Sequence, residues 1–250
     1  IMNRLEDRIA VITGGATGIG GATAEQYAAE GAIVHILDAN QEDGQATEAR
    51  IRDTGGQARF HELDIRDADQ VRATFERIGT TEERVDILVC SAGVLRGAYS
   101  GIEDLAEDDW DATLDTNLKG TYLTTRFAAP LLRQADKSVV LLIASGAGVH
   151  GGSSSYAYAA SKAGVHGMRY NLENDLGPSG SRIHVVCPGG IATPLKLKNV
   201  AEGAQSRGED VEAAVVGARQ SLGDPKGVAH VLTFLASAEG EYVRGTIFTR

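Results

Sequence analysis

Tyr158 and Lys162 bracket the segment Tyr158-Ala-Ala-Ser-Lys162, which places a phenol and an ammonium one turn apart on the same face of a predicted helix. A phenol with a reference pKa of about 10 becomes a base near neutrality only if its ionised form gains roughly 4 kcal/mol, about 3 pKa units. A cation held within about 4–6 Å in a partly dehydrated cleft supplies much of that. The pair therefore suits proton exchange with an alcohol, whereas the same spacing on a solvated helix face would be inert. The elements around the pair decide between the two.

Arg8-Ile-Ala-Val-Ile-Thr13 reads as a short apolar strand, followed by Gly14-Gly-Ala-Thr-Gly18-Ile-Gly20-Gly21 and an Ala-rich helical stretch to about Glu30. A strand that ends in glycines and restarts as a helix aims backbone N–H groups and the positive helix end at one point, where a pyrophosphate is favoured. No Lys-Ser or Lys-Thr follows the Gly-x-x-x-Gly-x-Gly spacing, which argues against a nucleoside-triphosphate loop. Ile33-Val-His-Ile-Leu-Asp38 reads as a second strand whose terminal carboxylate can accept hydrogen bonds from adenosine ribose hydroxyls and repel a 2′-phosphate. Thr17, Ala39 and Asn40 supply no cation for such a phosphate, so NAD is expected in preference to NADP.

Short runs rich in Val, Ile and Leu near residues 9–13, 33–38, 58–63, 87–91, 139–143, 183–187 and 246–248 alternate with helical stretches. That is the pattern of an α/β chain with a parallel sheet covered by helices on both faces. Two of the helices are expected over about 108–133 and 156–176. With no composition break or long repeat in 250 residues, one domain over 1–250 is expected.

Thr13-Gly14-x-x-x-Gly18-Ile19-Gly20, Asp38, Asp64, Asn117, Ser145, Tyr158-x-x-x-Lys162 and Pro188-Gly-Gly-Ile-Ala-Thr193 stand in an order, with Ser145 thirteen residues before Tyr158, that resembles the short-chain dehydrogenase/reductase family over essentially the whole chain. The resemblance implies a single-domain Rossmann fold with a doubly wound, seven-stranded parallel sheet. It implies Tyr158 as general acid/base and Ser145 as hydrogen-bond partner of the substrate oxygen. Lys162 would bind the nicotinamide ribose and lower the tyrosine pKa, and Asn117 would hold a water in a proton relay. Cofactor contacts are implied at Gly14, Thr17, Gly18, Ile19 and Gly20, at Asp38, and at Asp64 with the Ile65 backbone against adenine. Others fall at Ser91, Ala92 and Gly93, and at Pro188, Gly189, Ile191 and Thr193. Substrate contacts are expected at Val94, Leu95, His150, Gly190 and Leu195, and at Tyr156, which lies off the catalytic face and equally suits packing on a neighbouring helix. The segment at about 193–222 is expected to fold over the site as a mobile cover.

The implied activity is NAD-dependent hydride transfer between a secondary alcohol or ketone and nicotinamide. An NADPH-dependent 3-oxoacyl-carrier reductase is an alternative that Asp38 disfavours; a non-catalytic dinucleotide sensor would gain nothing from keeping Ser145, Tyr158 and Lys162 together. The family's Asn-Asn-Ala-Gly reads Cys90-Ser91-Ala92-Gly93 here, so an amide that usually ties the central sheet to the cofactor region is missing. His184 stands where an Asn is common and reads as a satisfied core histidine.

A net charge of −10 disfavours nucleic acid and anionic membranes, which recruit clustered Lys and Arg. The start of the chain is too charged for a secretory signal and no apolar stretch nears membrane-spanning length, so a cytoplasmic protein is expected. Cys90 and Cys187 read as reduced core residues, and the six histidines show no metal-site spacing. Small residues on the helices over 108–133 and 156–176, including Ala157, Ala160, Ala163 and Gly164, resemble the family's subunit-pairing surface and imply a homodimer or homotetramer. Met2 suits a natural start with Ile1 added before it, and the last strand stops at Arg250 where relatives carry a short further tail.

Overall fold

The computed structural model describes residues 3–249; Ile1, Met2 and Arg250, on which the readings of the chain ends rest, lie outside the described residues. Seven strands, β1 (Ile9–Thr13), β2 (Ile33–Asp38), β3 (Gln57–Glu62), β4 (Ile87–Cys90), β5 (Val139–Ile143), β6 (Arg182–Cys187) and β7 (Gly245–Phe248), form one parallel sheet in the order β3-β2-β1-β4-β5-β6-β7. The expected runs fall on these strands to within a residue or so. Every residue of β1, β4 and β5 is buried, as continuous Val/Ile/Leu strands must be when helices cover both faces.

Alternation of side chains divides the core in two. Ala10 and Ile12 face one layer with α1 (Gly18–Ala29) and α9 (Pro225–Ala236), while Val11, Leu88, Leu142 and Val185 face the other with α3 (Ala68–Glu82), α5 (Gly120–Leu132) and α6 (Tyr156–Leu176). The remaining helices are α2 (Gln41–Asp53), α4 (Glu107–Leu114), α7 (Pro194–Ser206) and α8 (Val211–Ser221). The chain winds outward in both directions from β1 and β4, so the strand order reverses there and a crevice opens beyond their carboxyl ends. The single helix expected over 108–133 is instead α4 and α5 joined by a π-helical turn at Asp115–Lys119. None of the described helices is long and apolar enough to cross a membrane.

His35 and His61, on neighbouring strands, bring Nδ1 and Nε2 to 2.9 Å, and His35 Nε2 lies 3.2 Å from a Glu82 oxygen that also accepts from Arg59 at 2.8 Å. The carboxylate can only accept, so His35 Nε2 carries a proton, and His35 Nδ1 must then accept from His61 Nε2. Burial holds both imidazoles neutral, pushing each down to about 4. His184 is fully buried, and contrary to the expectation of a satisfied core residue neither ring nitrogen has a hydrogen-bond partner among the described residues. Its neighbours in register, Leu141 and Gly245, offer no polar side chain, and burial lowers it too to about 4.

A base whose folded pKa is depressed takes up protons first in the unfolded chain, so its stabilising effect is complete above the unfolded value and is lost as pH falls toward the folded one. From the shifts of His35, His61 and His184, stability should decline between pH 6.5 and about 4. Melting temperature measured across that range should show the decline, and His184→Asn should make it shallower; a flat profile in the parent would contradict it.

Candidate active site

One cavity of about 1160 Å³ opens at the carboxyl ends of the strands, running from the turn Gly14–Ile19 and Asp38 at one end to Ser145, Tyr158 and α7 at the other. The turn is built to approach something closely. Gly14 has φ of +65° and a Cβ there would sit 2.6 Å from Ala92 Cα, so only glycine lets β1 and β4 come together at this point. Thr17 gives α1 no side-chain cap, and the first turn of α1 has no acidic residue; its leading N–H groups and positive end suit an anion. Gly20 lies behind the cavity wall, next to the lining residues Gly18 and Ile19. A Cβ on it would strike the Gly14 carbonyl oxygen at 2.1 Å, so it lets the helix close against its own entry turn.

Asp38 is fixed by backbone: Ala16 N–H donates to Oδ2 at 3.1 Å and Asn40 N–H to Oδ1 at 3.0 Å. Asp64 is held in a fork by Arg66, with Nη2 to Oδ2 at 2.6 Å, and the guanidinium keeps its carboxyl below the usual range. Arg66 also lines the cavity and was not expected from the sequence, where a lone exposed-looking arginine carries no signal. Beside Cys90-Ser91, where the family's amide is replaced, the Thr13 carbonyl accepts from Ser91 N–H at 3.2 Å and its hydroxyl from Ala92 N–H at 3.4 Å.

The chemistry gathers on α6. Ser155 caps this helix, accepting from Tyr158 N–H at 3.3 Å and donating to the Arg96 carbonyl at 2.7 Å, which ties α6 to the loop after β4. Lys162 Nζ lies 5.6 Å from the Tyr158 ring centroid and donates to the Ile143 carbonyl at 2.8 Å. Burial lowers the ammonium to about 8. Burial raises the Tyr158 phenol, and a hydrogen bond with Ser145 opposes that rise. Ser145 Oγ also accepts from Ala147 N–H at 3.2 Å. Cys90 and Cys187 are free and buried, with burial pushing the Cys90 thiol up to about 12.

Asn117 is fully buried within the π-helical turn and is not part of the cavity wall. Its amide is engaged with protein: Oδ1 accepts from Val94 N–H at 2.8 Å, and Nδ2 donates to the Val94 carbonyl at 2.9 Å and to Ser161 Oγ at 3.0 Å. The side chain of Asn117 is thus a brace between α6 and the loop after β4.

Val94, Leu95, His150, Gly190 and Leu195 line the cavity as expected. Tyr156 does not; it begins α6 half-exposed, away from the cavity. The ring of His150 packs on Phe248 with centroids 4.7 Å apart. Tyr99 and Asn199, which nothing in the sequence marks, also line the cavity. Tyr99 N–H donates to the Ser154 carbonyl at 2.7 Å and its hydroxyl to the Asn199 carbonyl at 3.3 Å.

A model of the short chain dehydrogenase family matches residues 8–203. A 3-oxoacyl-(acyl-carrier-protein) reductase of Thermotoga maritima is 32% identical over 98% of this chain and 96% of its own. A cyclopentanol dehydrogenase of a Comamonas species is 31% identical, again over 98% and 96%. The crystal structure of levodione reductase superposes with a TM-score of 0.90 at 29% identity, covering 98% of this chain and 96% of that one. Glycine turn, reversal of strand order and the Tyr158/Lys162 pair agree with these similarities, and the chain belongs to the short-chain dehydrogenase/reductase family of oxidoreductases, whose members bind a nicotinamide dinucleotide.

Proposed function

We propose that this oxidoreductase uses NAD to interconvert a secondary alcohol and its ketone. The observation that carries the reading is the placement of the Tyr158 phenol and Lys162 ammonium on the same cavity as the glycine turn and Asp38. Gly14, Thr17, Gly18 and Ile19 with the start of α1 would hold the pyrophosphate, Asp38 the adenosine ribose, and Asp64 and the Ile65 backbone the adenine. Ser91, Ala92 and Gly93, with Pro188, Gly189, Ile191 and Thr193, would flank the nicotinamide half. The dinucleotide, when bound, supplies the hydride acceptor and donor at nicotinamide C4 and, when oxidised, a positively charged ring.

In the oxidation direction Tyr158 Oη takes the hydroxyl proton while Ser145 Oγ donates a hydrogen bond to the substrate oxygen as negative charge grows on it. In reduction the phenol returns that proton. Lys162 favours the phenolate and can bond the nicotinamide ribose. Because burial alone raises the phenol, the base form depends on positive charge gathered close to it. Asn117 acts by position, bracing the segment that carries Val94. Helices α7 and α8, over 194–221, form the cover, with Tyr99 hooked to the first of them. Exposed Trp110 and Tyr122 on α4 and α5, with Ala160, Ala163 and Tyr170 on α6, support pairing of these helices between subunits.

Absorbance at the reduced-nicotinamide wavelength, followed over a panel of secondary alcohols, tests the reaction. Tyr158→Phe should abolish turnover, by at least about a thousandfold, while NAD affinity changes little; near-normal turnover would refute the assignment. Lys162→Met removes a cation that favours phenolate, so the pH–rate profile for oxidation should move to higher pH, and an unmoved profile would remove Lys162 from this role. Asp38→Asn keeps an acceptor for backbone but removes the charge that repels a 2′-phosphate; NADP binding, followed by fluorescence titration, should tighten about tenfold relative to NAD. An unchanged ratio would overturn the NAD preference. Light scattering should give the mass of a dimer or tetramer, and a monomer would dismiss the helix pairing.

A further inference from the structure

Asn199 stands on α7 between two cavities. It lines the catalytic one and also a second of about 630 Å³, and the two share Gly93, Val94, Leu95, Arg96 and Leu195 as a common wall. The two cavities are therefore neighbours, with Asn199 on the boundary between them.

Asn199 as a residue is only 4% exposed. One end of its carboxamide is tied, Nδ2 donating to Ser154 Oγ at 2.9 Å. Among the described residues no group donates to the other end, Oδ1. Oδ1 is not one of the side-chain atoms sealed from solvent without a partner, so it keeps access from the cavities that Asn199 lines and is free to accept from a ligand.

The amide is also held in place. Tyr99 hooks the Asn199 carbonyl, and its phenol occupies the space beside α7 that a side chain at Gly203 would fill, since a Cβ there would lie 2.5 Å from the hydroxyl. Tyr99 keeps this position from a left-handed backbone, φ 63°, which residues with side chains seldom adopt. Ser154 thus ties the carboxamide itself, while Tyr99 holds the α7 backbone that carries it.

We propose that Asn199 is a specificity-determining residue: its side-chain oxygen accepts a hydrogen bond from a hydroxyl or amide N–H that the substrate carries beyond its carbinol, and the rest of the substrate continues into the second cavity. The inference rests on the dehydrogenase reading for the carbinol end alone. The second cavity pairs Arg96 with Asp109 and Lys198 with Glu202, each at 3.9 Å, so its charges offset one another and suit a neutral polar tail better than an anionic one. A site built to bond a substrate hydroxyl discriminates strongly against the analogue that lacks it.

The test compares a secondary octanol with octanediols bearing the second hydroxyl at each of the other carbons, against the parent, Asn199→Leu and Asn199→Asp. Two readouts are taken, the kcat/KM ratio within each pair and the rise in melting temperature that each ligand produces in the presence of NAD. The parent should favour at least one diol by about tenfold or more in kcat/KM, with a matching difference in thermal protection. Asp still presents an acceptor and should keep the preference, whereas Leu should bring the pair to within about twofold of parity. A parent that protects and turns over every diol no better than the octanol, or a preference that survives in Asn199→Leu, overturns the proposal. Selective protection by a diol without turnover of any alcohol would support the subsite and defeat the dehydrogenase reading instead.

Discussion

An ammonium buried at the heart of the fold is the constraint on which the site depends. Lys162 is 4% exposed, and among the described residues no carboxylate lies within ion-pairing distance. Its visible partner is the Ile143 carbonyl at the end of β5. A charge so placed costs free energy that a single neutral acceptor does not offset, so the group is driven down to about 8, and an anion formed beside it is correspondingly favoured. Docking α6 on β5 therefore does more than pack apolar surface: it presents an under-partnered cation to the face of Tyr158. Gly93 is part of the same arrangement, since a Cβ there would lie 3.5 Å from Nζ and 3.3 Å from Asn117 Oδ1.

Much of this was legible in the sequence because it is local. Hydrophobic runs placed all seven strands, the stretch from Tyr156 to Leu176 was read to its ends, and the glycine turn announced itself by spacing. What failed was long-range. The hook from Tyr99 to Asn199 spans 100 residues and the bond from Asn199 to Ser154 spans 45, and no motif records either. Periodicity also describes regular helix, so it joined α4 to α5 without seeing the π-helical turn between them. Spacing reveals which charges are near Tyr158, while the burial that raises its phenol emerges only from the folded chain.

The departures from the family pattern were absorbed differently. At Cys90-Ser91 the backbone remains bonded, since Thr13 on the adjacent strand offers its carbonyl and its hydroxyl to the N–H groups of Ser91 and Ala92. At His184 nothing compensates. The contrast follows position: the first site lies at a strand end, where loop backbone can be recruited, and the second within the sheet, where ladder bonds already engage the neighbouring backbone.

The turn at Asp115–Lys119 carries a further consequence. An i→i+5 turn takes one residue more than the regular helix, which puts the two halves of the α4–α5 rod out of phase by about 100°. Asn117 meets both Val94 and Ser161 from within that turn. Chain length at this point is therefore under tighter constraint than residue identity at many of its positions: a one-residue deletion would let the helix run straight, rotate one half against the other, and uncouple Asn117 from the strand loop or from the catalytic helix.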